Sequence, residues 1–291
     1  MSRIAYVNGR YCPHREAVVH IEDRGYQFAD GVYEVCEVAG GRLIDAPRHL
    51  ARLQRSLGEL RIAAPVSFAA LPVIMGETVR RNRVVDGIVY VQITRGVARR
   101  DFPFPAPQVR PTLVVTARRS EPAKIEALAA AGIAVVTVPD IRWGRVDIKS
   151  VALLPNVLAK QAAREQGARE AWLVDAGGKV TEGASSNAWI VSAEGRLVTR
   201  ALDHHILRGI TRTTLLDVAR AHGLAVEERA FTPQEAYAAR EAFVTSASQT
   251  VMSVVQIDGH RIGDGTPGPL ARALRRDFHQ TAHAGVQLFH K

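Results

Sequence analysis

The chain has 291 residues, 47% hydrophobic and 23% charged, with a formal net charge of +9. That length allows two compact domains of about 150 residues each, and the mixture is that of an ordinary globular protein. With only Cys12 and Cys36 there is no disulfide framework, and no run reaches the roughly 20 apolar residues of a membrane span.

The elements follow in chain order. Residues 3–7, the turn Asn8-Gly9 and the short run beyond it read as an opening hairpin. Val32 to Val38 continues as a strand that places Cys36 in the core as a reduced thiol, and Gly40-Gly41 turns the chain back. Leu50, Leu53, Leu57 and Leu60 form one apolar helix stripe. Ser67 is the expected cap of a second helix through Leu71, Ile74, Met75 and Val79. Ile88–Thr94 and Thr112–Thr116 are β-branched strands on either side of a proline-rich loop, Pro103 to Pro111.

A domain of residues 1–118, a linker at 119–123 and a domain of 124–291 are expected, because polar residues and Pro122 interrupt two apolar segments there. Beyond the linker, helix and strand alternate. A helix at Lys124–Ala131 precedes a strand at Ile133–Val138, and a helix at Leu158–Gln166 precedes one at Ala171–Val174. Strands follow the Gly177-Gly178 turn, and a helix opens after Gly209 and closes at Gly223. Further strands lie near Ala242–Thr245 and Val254–Ile257, with a basic helix after Pro269. The pattern is a two-domain α/β (α+β) enzyme body.

Several chemistries drop out. None of the ten histidines sits in an HExxH pair or beside a cysteine cluster, so no metal site is expected, and His204-His205 reads as loop. Gly263 to Gly268 matches GxGxxG formally, but Pro267 interrupts it and no long strand precedes it, so it reads as a turn. The arginines are dispersed among acids rather than clustered with aromatics, which argues against a nucleic-acid partner. A basic binding protein without catalysis is the non-enzyme alternative. No basic leader precedes an apolar run at the start, and a cytoplasmic location is the default expectation.

What remains suits phosphate and Schiff-base chemistry. Lys149 stands in Asp147-Ile148-Lys149-Ser150; Thr181 to Asn187 joins an acid to small hydroxylated residues; Gly209-Ile210-Thr211-Arg212 opens a helix with unshared backbone N–H groups; Thr245-Ser246-Ala247-Ser248 ends a strand in small residues. Read singly, each has a plain structural explanation: a solvated lysine, a polar turn, an N-cap.

Taken together and in this order, with Glu22 to Glu34, His49 to Leu53, Gln92 to Gly96 and Asp140 to Trp143, they resemble the fold type IV (class IV) pyridoxal-phosphate aminotransferases, on the D-amino acid transaminase branch. The resemblance spans nearly the whole chain. It implies a smaller N-terminal α/β domain, a larger C-terminal one, and pyridoxal 5'-phosphate in the cleft between them. By it, Lys149 forms the Schiff base and moves the proton, a task that requires a neutral amine. Glu182 faces the pyridine nitrogen. Arg52, supported by His49, pairs with the phosphate; Ser186, Ile210, Thr211, Ser246 and Ala247 complete the cofactor contacts. Ala247 stands where the family commonly has threonine.

For substrate, the resemblance assigns Tyr33, Ser185 and Arg100, the last lent by a partner subunit, so that a homodimer is implied. Phe102 stands where the best-known members have histidine, which removes one polar contact to the substrate carboxylate. The reaction implied is amino transfer between D-amino acids and 2-oxo acids. Branched-chain L-amino acid transaminases and aminodeoxychorismate lyases share this scaffold.

Overall fold

The computed structural model describes residues 3–282 and 284–287. The chain forms two compact units. The first holds the residues up to Glu121, then Ile148–Ala152 and the C-terminal strand; the second holds Pro122–Asp147 and Leu153–Ala282.

In the first unit, β1 (Ile4–Val7) and β2 (Arg10–Pro13) are joined by Asn8-Gly9, both at positive φ (47° and 99°), the geometry a two-residue hairpin turn demands. A one-turn helix α1 (Arg24–Phe28) leads into β3 (Gly31–Ala39) and β4 (Arg42–Ile44). Helices α2 (Ala46–Glu59) and α3 (Ala70–Arg81) follow, then β5 (Gly87–Thr94) and β6 (Thr112–Arg119).

Strand period places Val32, Glu34, Cys36 and Val38 on the buried face of β3 and Tyr33 on the other. Against the buried face, Leu53 and Leu57 of α2 and Leu71, Met75 and Val79 of α3 pack with Val89, Val91 and Val115. Each such leucine contributes about 1.5–3 kcal/mol by burial.

Two expectations are corrected here. Ser67 does not cap α3: the helix begins at Ala70 with Ala69 as N-cap and no side-chain cap, and Ser67 contributes only its carbonyl, which accepts from Ala70 N at 3.0 Å. The interval 119–123 is not all linker, because the antiparallel pairing of β5 with β6 extends to Gly87↔Arg119 and the next helix starts at Pro122.

The second unit runs α4 (Pro122–Ala131), β7 (Ile133–Pro139), α5 (Leu154–Glu165), β8 (Glu170–Val174), β9 (Val180–Gly183), β10 (Asn187–Val191) and β11 (Leu197–Thr199). Next come α6 (Ile210–Ala221), β12 (Val226–Glu228), α7 (Pro233–Tyr237), β13 (Glu241–Ser246), β14 (Thr250–Ile257), β15 (His260–Arg261) and α8 (Pro269–Thr281). Gly263 to Gly268 is a turn before α8, as its Pro267 suggests. Helix α5 starts four residues earlier than its apolar spacing indicates, with Pro155 in its first turn, where the missing N–H costs nothing.

The mixed sheet has the order β12-β11-β10-β13-β14-β7-β8-β9, with β15 on β14. In its middle, β10 is buried on both faces, which explains its near-continuous apolar run. Along β10, Ala188 and Ile190 enter one core while Trp189 and Val191 enter another beneath α6 and α8. Strand β16 (Ala284–Gln287) closes the first unit's sheet, whose order is β16-β4-β3-β5-β6-β1-β2.

Lys149 thus does not fold with the second unit, as the expected 124–291 domain would have it. Tyr33 N donates to Lys149 O and Val151 N to Gly31 O, each at 3.0 Å, while Ile148 enters the core beneath β3. These bonds tie residues 148–152 to the start of β3.

Candidate active site

Lys149 is held by its backbone and lightly held by its side chain. Besides the bond from Tyr33, its N–H donates to the buried Ser56 Oγ at 3.3 Å. Its Nζ lies 4.2 Å from the centroid of the Tyr33 ring, and among the described residues it has no carboxylate partner. An amine on a clamped backbone, with no carboxylate partner among the described residues, is placed to meet an aldehyde. The Tyr33 ring stacks on Tyr90 at 5.5 Å, and burial, with Tyr33 adding to it, pushes the Tyr90 hydroxyl above its ordinary range.

Because strand period sends Glu34 to the opposite face from Tyr33, Glu34 meets α2. There it accepts from Arg52 Nε at 2.7 Å and Nη2 at 2.8 Å, and stands 2.7 Å from His49 Nδ1. All three are buried. Burial would raise the Glu34 carboxyl, but the Arg52 charge and the hydrogen bonds from Arg52 and His49 outweigh it and bring the group down to about 2. His49 and Arg52 share a helix face, as their spacing indicates, and they converge on Glu34. That residue went unread: its place in Val32-Tyr33-Glu34-Val35 carries a charge on the core face, the signal that could have found it.

Arg100 is exposed, its Cζ 4.9 Å from the centroid of the Phe28 ring. Arg24 stands 4.8 Å from the same ring, and Phe102 packs against it at 5.6 Å.

In the second unit, Glu182 on β9 is gripped from two sides. Its Oε1 accepts from Arg142 Nη1 in an ion pair and from Leu207 N at 3.2 Å, and its Oε2 accepts from Asn187 Nδ2 at 2.9 Å. Arg142 also donates to Asp140 at 2.7 Å, and Thr181 Oγ1 donates to Asp140 at 2.7 Å. Burial works against both charges. Arg142's bonds and charge still bring Asp140 below its ordinary value, while Asp140 and Glu182 raise Arg142. The string Asp140–Arg142–Glu182 sums to one net negative charge, the complement of a protonated pyridine nitrogen.

Asn187 connects this acid to α6. It also donates to Leu207 O at 3.0 Å, and a Cβ on Gly209 would overlap its Oδ1. Gly209 is the N-cap of α6 with no side-chain cap, so the first N–H groups at Ile210 and Thr211 have no intrahelical acceptor, the arrangement an anion needs. Helix α8 differs, for Glu241 accepts from Leu270 N and Ala271 N at 3.0 and 2.9 Å. Ser246 and Ala247 begin the hairpin after β13, whose Thr245 pairs with Asn187. Glu182, the α6 start and the β13 end are thus linked through Asn187. These features fit a phosphorylated pyridine cofactor.

Ser185 and Ser186 share one partner. Both hydroxyls donate to the buried Glu170, at 2.6 and 3.1 Å, and Lys160 Nζ lies 3.2 Å from its other oxygen. Glu170 anchors the 183–187 turn and, like Arg142, could not be read from its neighbours.

Residues 31–257 match the family described as Amino-transferase class IV. The chain is 43% identical over 268 residues to the D-alanine aminotransferase of Bacillus licheniformis, covering 92% of this chain and 93% of that protein. It is 38% identical to that of Staphylococcus haemolyticus, covering 94% and 96%. Among solved structures, the branched-chain amino acid aminotransferase of Escherichia coli superposes with a TM-score of 0.88 at 22% identity, covering 96% of this chain and 94% of that one. A second branched-chain amino acid aminotransferase, the T.th. enzyme solved with pyridoxamine 5'-phosphate, gives 0.87 at 26%, with the same coverage. With its fold, its lysine segment and its uncapped helix start accounted for, the chain belongs to the class IV aminotransferases.

Proposed function

We propose that this protein is a pyridoxal-phosphate-dependent D-amino acid transaminase that moves an amino group from a D-amino acid such as D-alanine to a 2-oxo acid such as 2-oxoglutarate. The observation that carries the chemistry is the Lys149 Nζ against the Tyr33 ring, on a backbone clamped to β3 and without a carboxylate partner among the described residues. The D-preference rests on relatives named D-alanine aminotransferase at 38% and 43% identity over most of the chain.

The cofactor supplies an electron sink for the carbanion formed when the substrate's α-proton leaves. Lys149 Nζ would hold the cofactor through its aldehyde and, when free, would accept and return the substrate's α-proton. Glu182, oriented by Arg142 and Asn187, would keep a pyridine nitrogen protonated. Arg52, oriented by Glu34, would pair with a phosphate, and the N–H groups of Ile210 and Thr211 and the Ser246-Ala247 turn would each suit one as well. Tyr33 and Arg100 take the substrate carboxylate, Arg100 from a second copy of the chain, which makes the homodimer the working form. Ser185 and Ser186 shape the site through Glu170.

Branched-chain enzymes of this fold superpose at TM-scores of 0.87 and 0.88, so the stereochemical preference is the point to test. With D- or L-alanine and 2-oxoglutarate, pyruvate is expected from the D-isomer. Pyruvate from the L-isomer alone rejects the proposal.

A further inference from the structure

The loop that carries Arg100 is fastened to the first unit at several points. Arg24, buried in α1, donates through Nη1 to Asp101 O at 2.6 Å and through Nη2 to Phe102 O at 3.2 Å. Its Nε donates to Asp30 at 2.8 Å, and Asp30 also receives Nε and Nη2 of the buried Arg95 at 2.7 and 2.9 Å. Arg95 in turn lies over the Phe104 ring, 3.6 Å from its centroid, with Arg61 at 5.0 Å. The backbone just after Arg100 is thereby held at Asp101 and Phe102, and the Phe104 ring is pinned beside it.

The side chain of Arg100 rests on Phe28. That ring has the Arg100 guanidinium at 4.9 Å, Arg24 at 4.8 Å and Phe102 tilted against it at 5.6 Å. A long exposed arginine has many rotamers, and restricting them before binding lowers the entropy cost of meeting a carboxylate. An aromatic face restricts them without occupying the N–H donors that a carboxylate needs. Phe102 does not supply the polar contact of a histidine; it braces the platform instead.

We propose that Phe28 is a positioning residue for Arg100: its ring, braced by Phe102 and Arg24, holds the guanidinium ready for the substrate's α-carboxylate. This rests on the reading of Arg100 as a carboxylate-binding residue, and deepens it.

The test uses the holoenzyme and whichever amino donor the wild type turns over, so it does not depend on the D-preference. Phe28→Leu is expected to raise KM for that donor about fivefold with kcat within about twofold, and Phe28→Tyr, which keeps the ring, to restore it. In the Arg100→Ala background, Phe28→Leu should add nothing further. Phe102 is 80% exposed, so Phe102→Ala leaves folding intact, and it is expected to raise KM about twofold. An unchanged KM in Phe28→Leu and Phe102→Ala, failure of Phe28→Tyr to rescue, or additive effects with Arg100→Ala would overturn the proposal. If Arg100→Ala itself leaves KM unchanged, the carboxylate assignment falls and the proposal with it; if only the Phe28 and Phe102 variants are silent, the assignment stands and the proposal alone falls.

Discussion

Glu34 grips Arg52 along one edge of the guanidinium, with Nε on one carboxylate oxygen at 2.7 Å and Nη2 on the other at 2.8 Å. A bidentate pair fixes the plane of the guanidinium as well as its position. The strand that offers Tyr33 to one face therefore sets Arg52 from the other.

The Glu34 carboxyl falls from 4.5 to about 2 on folding, because Arg52 and His49 together overcome the burial that opposes them. A depressed carboxyl stabilises the fold above its unfolded value and loses that contribution as pH drops through the folded one. Some 3 kcal/mol should therefore fade between about pH 4.5 and pH 2. Glu34→Gln should cost about 3–5 kcal/mol at neutral pH by leaving Arg52 buried beside a neutral amide. Urea unfolding of both proteins at pH 7 and pH 3.5 measures this, and the gap between them should narrow in acid.

Replacing Lys149 by Ala removes the amine proposed to anchor the aldehyde. Activity should fall by at least about a thousandfold, and borohydride reduction, which in the wild type leaves a pyridoxyl adduct on the 149 peptide, should leave none. An adduct on another lysine in the wild type, seen by peptide mass spectrometry, would reject the assignment.

Glu182→Gln keeps the shape and the Asn187 contact but removes the charge proposed to face the pyridine nitrogen. The cofactor should remain bound with an altered absorption spectrum, while kcat falls about 100-fold. Arg142→Leu should move the same spectrum in the same direction with a smaller loss, about tenfold, since Asn187 still holds one carboxylate oxygen.

Gly209 has an ordinary helical-entry backbone (φ −60°), so a side chain there is excluded by space alone. Gly209→Ala must displace Asn187 or the first turn of α6. Reconstitution of the apoenzyme, followed by fluorescence titration, should show cofactor affinity reduced about tenfold. Wild-type affinity would mean that the α6 start does not bear on the phosphate.

Local order was legible wherever a few adjacent residues decide it. Leu53 and Leu57 marked α2, Asn8-Gly9 the first hairpin, and Gly209 the start of α6. Ser67 misled because a good capping residue can also be a plain turn residue when a helix starts three positions later. What spacing could not show was which polar groups meet across long separations. Arg142 finds Glu182 forty residues on, and Glu170 captures Ser185 and Ser186. Those partnerships arise from sheet topology, which sets β8 between β7 and β9 only after the sheet has formed.

The return of residues 148–152 to β3 bears on how the polypeptide is made. A nascent chain that has emerged only as far as Glu121 has no Ser150 to bridge Val32 and no β16 to cover β4. Its sheet stays unfinished until much of the remaining polypeptide has left the ribosome. Lys149, at the middle of the chain, thus reaches its place only after the strand that receives it has waited in an incomplete fold.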